Sequence, residues 1–184
     1  MSEPADASAQ QPIQIVINQV ADAMVALKQA GNIGANWFYW IAGLSLVNTT
    51  MVHGGGDLHF IVGLSVTAIV DGIAKGVGQQ RPDLANVAMG IAVVFSVCVA
   101  AVVFLFGWFS RKRLLWVFGI GMGLYLLDGL NYLLFEDYLS AAFHGYALWA
   151  MSRGFKAYRQ MAQLEAALLT QAITVTTDGV DASA

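Results

Sequence analysis

Residues 126–145, LLDGLNYLLFEDYLSAAFHG, carry an aspartate and a histidine inside two apolar runs that flank a short acidic turn. Glu136-Asp137, with a residue on either side, is too short a link for anything but an antiparallel helical hairpin. Asp128 stands eight residues before Glu136, and His144 seven after Asp137. At about 1.5 Å per residue both lie roughly 10 to 12 Å below the turn, at matching depth on adjacent helices. Gly121, Leu124, Asp128 and Asn131 share a stripe around the first helix; Ser140, His144, Ala147, Met151 and Gly154 share one around the second. Small side chains let helices approach closely, so both stripes read as contact faces.

Working outward, the 184 residues are 58% hydrophobic and 11% charged, with a mean hydropathy of +0.63. A soluble domain carries about 25% charged residues. Apolar stretches of about 20 residues recur, enough to cross a hydrocarbon core of about 30 Å. The reading is an all-α polytopic membrane protein, a bundle of five transmembrane helices at 33–52, 57–76, 86–109, 114–135 and 138–152 within a membrane domain of 32–158. A disordered N-terminus (1–11) and an amphipathic helix (12–31) precede it; a helical extension (159–172) and a disordered tail (173–184) follow. In the amphipathic helix Ile13, Ile17, Val20, Met24 and Leu27 recur at spacings of three and four, with Gln14, Asn18, Asp22 and Gln29 elsewhere on the wheel. Pro12 suits its first turn and Gly31-Asn32 its end. With a single lysine it is expected to pack on protein rather than on anionic lipid.

The net charge of −3 and the scattered basic residues speak against nucleic acid as a partner. Cys98 is the only cysteine, which excludes an intramolecular disulfide; it reads as a small packing residue. Five crossings put the two ends on opposite sides. Arg111, Lys112, Arg113, Arg153, Lys156 and Arg159 then share one side, with Lys28, Lys75 and Arg81 on the other. The positive-inside rule predicts a cytoplasmic C-terminus and an N-terminus outside.

That topology allows a polar cluster of Asn36, Asp71, Asp128, Asn131 and His144 towards one face. A charge near mid-bilayer costs about 2.5 to 3.5 kcal/mol, so such residues turn inward and find partners. One reading is structural: an Asp128–His144 hydrogen bond fixes the rotation of the hairpin, while Asp71 reaches water or pairs with Lys75. The other is a proton- or cation-responsive site, since a histidine beside a carboxylate titrates near neutral pH.

His53, Asp57 and His59 surround three glycines and could be argued as metal ligands. The plainer reading makes the histidines interfacial and Asp57 a helix cap. Ser45, Ser65, Ser96 and Ser140 stand in no nucleophile motif, so neither enzymatic activity nor a cofactor is expected. Gly72 with Gly76, and Gly119 with Gly123, match the small-xxx-small spacing of helix packing. The segments NWFYWIAGLSLVN, LLDGLNYLL and FHGYALWAMSRGFKAY resemble small multi-pass inner-membrane proteins of bacteria, which implies that localisation and no particular activity. The functional expectation is a non-enzymatic accessory or scaffold subunit, with the lipid bilayer and other membrane proteins or further copies of itself as partners. The alternative is a small proton- or cation-coupled transporter or channel-like module using the Asp/His cluster.

Overall fold

The computed structural model describes residues 5–53 and 63–181. Its elements are α1 (Ala5–His53), α2 (Ser65–Gln80), a 3-10 turn (Pro82–Leu84), α3 (Ala85–Arg111), α4 (Leu115–Leu134) and α5 (Tyr138–Asp181), with no strand among the described residues. The described residues are all-α, in five α-helices and one 3-10 turn. Two of them, α3 with its preceding turn and α4, are long and apolar enough to cross a membrane. The expected five crossings are not all of this kind. α1 and α5 dilute their apolar stretches with buried polar residues such as Ser45, Asn48, Thr49, Ser140 and His144. Helix α2 has 16 residues, about 24 Å at 1.5 Å per residue, short of a core of about 30 Å. It starts at Ser65 rather than at 57, and residues 57–62 of the expected span lie outside the described ones.

Helix α1 also differs from expectation. The predicted amphipathic helix and first span are one continuous helix of 49 residues beginning at Ala5, through Gly31-Asn32 and through part of the stretch read as disordered. The reason is tertiary. A Cβ at Gly31 would collide with the Tyr158 ring of α5, and the Tyr158 hydroxyl donates to Asn32 Oδ1 at 2.8 Å. A pair that locally reads as a helix end is thus a helix–helix contact. At the other end of the chain α5 continues to Asp181, beyond the expected limits of the extension and into the tail.

The directions of the helices follow from which residues meet. Tyr158 bonds Asn32, Gly154 lies against Gly34, and Trp37 packs on Phe143 and Tyr146, so α1 and α5 are antiparallel. Ser45 pairs with Thr67 and Thr49 with Asp71, a constant offset that makes α1 and α2 parallel. Short turns make α3, α4 and α5 successively antiparallel. Helices α1 and α2 therefore point towards the same end of the bundle, and α2 starts beside Asn48, short of the end of α1. Both long helices consequently run out of the same end of the bundle, not opposite ends. There α1 leaves Ile15, Val16 and Ile17 exposed, and α5 leaves Leu168, Leu169 and Ile173 exposed.

The core lies where α1, α4 and α5 meet. Phe118 is fully enclosed, its ring edge-on to Phe38 at 5.6 Å and to Phe155 at 5.8 Å, with Ile41, Ala147 and Met151 around it. The packing glycines are not the expected ones. A Cβ added at Gly72, Gly76 or Gly123 meets nothing within 4 Å, and at Gly119 only Phe155 at 3.9 Å. At Gly34 and Gly154 it would lie 2.6 Å from the other helix's Cα. Gly72→Ala is therefore expected to leave the fold intact and to stabilise it by up to about 1 kcal/mol through helix propensity. Thermal unfolding in detergent checks this; a clear loss of stability would place that face in a contact.

Candidate functional site

A helix that begins inside a bundle has a local problem. Its first four N–H groups have no partner within the helix, and Leu64, preceding α2, supplies no side-chain cap. Asp128 of α4 solves it from 63 residues away. Ser65 N donates to Asp128 Oδ2 at 3.0 Å and Val66 N to Oδ1 at 3.1 Å. The Ser65 hydroxyl donates to Oδ1 at 2.7 Å, with the Asp128 carbonyl oxygen at 3.0 Å as an alternative, and accepts from Asn131 Nδ2 at 3.2 Å. The Tyr132 hydroxyl donates to the Gly63 carbonyl at 3.0 Å, tying down the residue before the helix. An anionic group is favoured at this place because the N-terminus of a helix carries partial positive charge.

His144 completes the set. Its Nδ1 lies 2.8 Å from the Ser140 carbonyl oxygen and its Nε2 3.1 Å from Asp128 Oδ2. The carbonyl can only accept, so Nδ1 carries a proton. The four acceptor positions of the Asp128 carboxylate are then filled by Ser65 N, Ser65 Oγ, Val66 N and His144 Nε2. A single proton shared between Nε2 and Oδ2 satisfies the His144–Asp128 contact. His144 is 2% exposed. Tyr125 stacks on its ring at 4.4 Å and 19°, and Tyr132 lies at 5.0 Å, aromatic faces suited to a cation. Gly129 makes room for it: a Cβ there would sit 2.9 Å from the His144 Cβ.

Of the residues expected to cluster, Asp128, Asn131 and His144 meet here. The other two lie elsewhere. Asp71 is buried in a separate polar seam between α1 and α2, accepting from the Thr49 hydroxyl at 3.3 Å, next to a Ser45–Thr67 contact also of 3.3 Å. Asn36 lines a different groove, with Ile33, Trp37 and Trp40, and its Oδ1 is enclosed without a hydrogen-bond partner. Of the metal candidates, Asp57, His59 and the side chain of His53 fall outside the described residues. Among the described residues no group of three His, Cys, Asp or Glu side chains is placed to hold a metal ion. Ser65, Tyr125 and Tyr132 were not singled out as partners of the pair. Ser65 and Asp128 do not form a hydrolase arrangement, because both nitrogens of His144 face other groups and neither serves the Ser65 hydroxyl as a base.

At the turn itself Asp137 caps α5, accepting from Ser140 N at 3.1 Å and from the Ser140 hydroxyl at 2.6 Å. That hydroxyl holds the Asp137 carboxyl below its ordinary value, and backbone N–H groups of the first turn act in the same direction. The folded-state value is the lower one. The cap's contribution is therefore complete above the ordinary carboxylate value of about 3.9 and is lost as pH falls through the folded-state value. Ser140→Ala is expected to move the Asp137 titration up towards the ordinary value, and fraying of the first turn of α5 with it. Carboxyl NMR resonances against pH check this; an unmoved titration would contradict it.

Comparison of the chain with protein-family models, with curated proteins and with solved structures finds no match.

Proposed function

We propose that this chain is a non-enzymatic, multi-pass integral protein of the bacterial inner membrane that works as an accessory or scaffold subunit through its helices. The observation that carries the reading is the pair of long helices leaving the same end of the bundle. From Gly31 to Ala5 and from Tyr158 to Asp181 they extend about 35 to 40 Å. The exposed Ile15, Val16 and Ile17 on one, and Leu168, Leu169 and Ile173 on the other, are apolar side chains that the rest of the described chain does not cover. Such residues outside a membrane are suited to docking a partner helix.

The basic residues support an orientation. Lys28, Arg111, Lys112, Arg113, Arg153, Lys156 and Arg159 lie towards the end with both termini, while Lys75 and Arg81 lie towards the other with Glu136 and Asp137. Seven against two favours both ends in the cytoplasm, replacing the expectation of an N-terminus outside. Lys112 over Trp108 at 4.6 Å and Arg153 over Trp149 at 5.0 Å are pairs suited to a membrane interface at that end.

Native mass spectrometry of the protein extracted in mild detergent tests the reading, with the Ile17→Asp, Leu169→Asp double variant alongside. The expected result is a stoichiometric complex, with a membrane-protein companion or with further copies, that the variant loses while keeping its helical content. A lone monomer in both would overturn it.

One feature favours a second reading, a proton- or cation-coupled module. A short helix whose N-terminus meets a carboxylate in mid-bundle is the geometry of many transporter sites, and the Asp128–His144 contact holds a transferable proton. Against it, all four acceptor positions of Asp128 are occupied by the protein's own donors. This reading predicts a pH-dependent flux in liposomes that His144→Gln abolishes with the fold retained. It fails if the unaltered protein passes none of a panel of ions and small solutes.

A further inference from the structure

Helices α3 and α4 follow each other through a tight turn, yet each packs more closely on other neighbours, α3 on α1 and α2 and α4 on α5. Between them a groove of about 440 Å³ remains, within the roughly 300 to 1,000 Å³ of ligand sites. Its floor is the buried Phe38, Leu64 and Tyr125; its rim is Val102, Leu124 and Leu127, each half-exposed or more. Asp128 and Asn131 lie at one end and Phe106 and Gly121 at the other, with Tyr125, its ring stacked on His144, and Cys98 between them.

The polarity of the groove runs along the helices. Asn131 is five residues before Glu136, about 7 to 8 Å below the turn, and Gly121 lies about 15 Å deeper. Asp128 has no acceptor position to spare. Asn131 uses one of its two Nδ2 protons on Ser65, which leaves it one to donate. A void of this size between packed helices forfeits dispersion contacts unless something fills it, and an apolar channel does not hold water.

We propose that this groove binds one hydrocarbon chain of a membrane glycerolipid from the leaflet on the Glu136-Asp137 side, its ester carbonyl accepting from Asn131. The occupant must be long and apolar, with a neutral acceptor at the end nearer the surface. An ester-linked acyl chain has that chemistry in that order. A headgroup charge plays no part, because the one charged group among the described residues of the lining, Asp128, is already paired with His144. The inference rests on the membrane placement proposed above and goes beyond it.

The test uses the full-length protein in phospholipid liposomes doped with one of two photoreactive phospholipids. One carries a diazirine near the acyl carbonyl, the other near the terminal methyl, and adducts are mapped by mass spectrometry. The expected result is labelling around Phe95, Cys98 and Asn131 by the first probe, and around Val102, Phe106 and Gly121 by the second. Val102→Trp, which plugs the rim, should reduce both several-fold. Val94→Trp, at a still more exposed position of α3 outside the groove, should leave them unchanged. Adducts spread evenly over exposed α3 residues and insensitive to Val102→Trp would overturn the proposal, as would the reverse order of the two probes. Failure of the membrane placement looks different: alkaline carbonate would then strip the protein from the liposomes.

Discussion

Asp128→Leu is expected to destabilise the bundle by about 3 to 5 kcal/mol, the range for removing one partner of a buried ion pair. The loss is larger than for an ordinary core substitution because three donors lose their acceptor together and a fourth loses the nearer of its two. Ser65 N and Val66 N are left at a helix start that no local residue caps, the Ser65 hydroxyl keeps only the backbone carbonyl of residue 128, and His144 loses the carboxylate facing Nε2. Asp128→Asn should be milder: a carboxamide keeps one acceptor oxygen, but its NH2 group then faces donors. Reversible unfolding in mixed micelles gives the difference. A loss below about 1 kcal/mol for the leucine variant would mean that the start of α2 is held by something other than this carboxylate.

Gly154→Leu and Gly34→Leu are the second pair of large effects. At this crossing each glycine Cβ would stand 2.6 Å from the opposite glycine's Cα and 3.2 Å from a backbone carbonyl oxygen of that opposite helix, Met151 for Gly34 and Ala30 for Gly154. Backbone cannot rotate away as a side chain can, so α1 and α5 must separate. A single methyl group costs on the order of 1 to 3 kcal/mol when it overpacks a core, and leucine adds three more carbons. The contact between Tyr158 and Asn32, one turn further along, lengthens with them. Both variants should lose the compact species that the unaltered protein gives on gel filtration in detergent, while Gly72→Ala keeps it. Equal behaviour of all three would contradict the crossing.

These contrasts separate what was legible in the sequence from what was not. The depth match of Asp128 and His144 was legible, because a two-residue turn and a fixed rise leave no other arrangement. The stripe Ser140, His144, Ala147, Met151 and Gly154 is buried at every position, since helical periodicity alone determines it. The start of α2 was not legible. Its apolar run has no internal mark at Ser65, and the cap arrives from Asp128 on another helix. Gly31-Asn32 misled for the same reason: the local signal of a helix end was overridden by Tyr158, 127 residues after Gly31. The glycine motifs failed because spacing along one helix does not tell which face meets a neighbour. Gly34 and Gly154 have their counterparts on each other's helices. The polar seam of Ser45, Thr49, Thr67 and Asp71 could have been found, because each helix shows polar residues four apart.

The central claim is that α1 and α2 point towards the same end of the bundle, so that in the proposed membrane α1 before Gly31 and α5 after Tyr158 leave on one side. Single-cysteine variants on a Cys98→Ala background, at Gln19, Gln171 and Glu136, test it most directly by labelling with a membrane-impermeant maleimide in intact cells and in inverted vesicles. The account predicts that Gln19→Cys and Gln171→Cys label only in inverted vesicles, and Glu136→Cys only in intact cells. Labelling of Gln19→Cys and Gln171→Cys from opposite sides would contradict it.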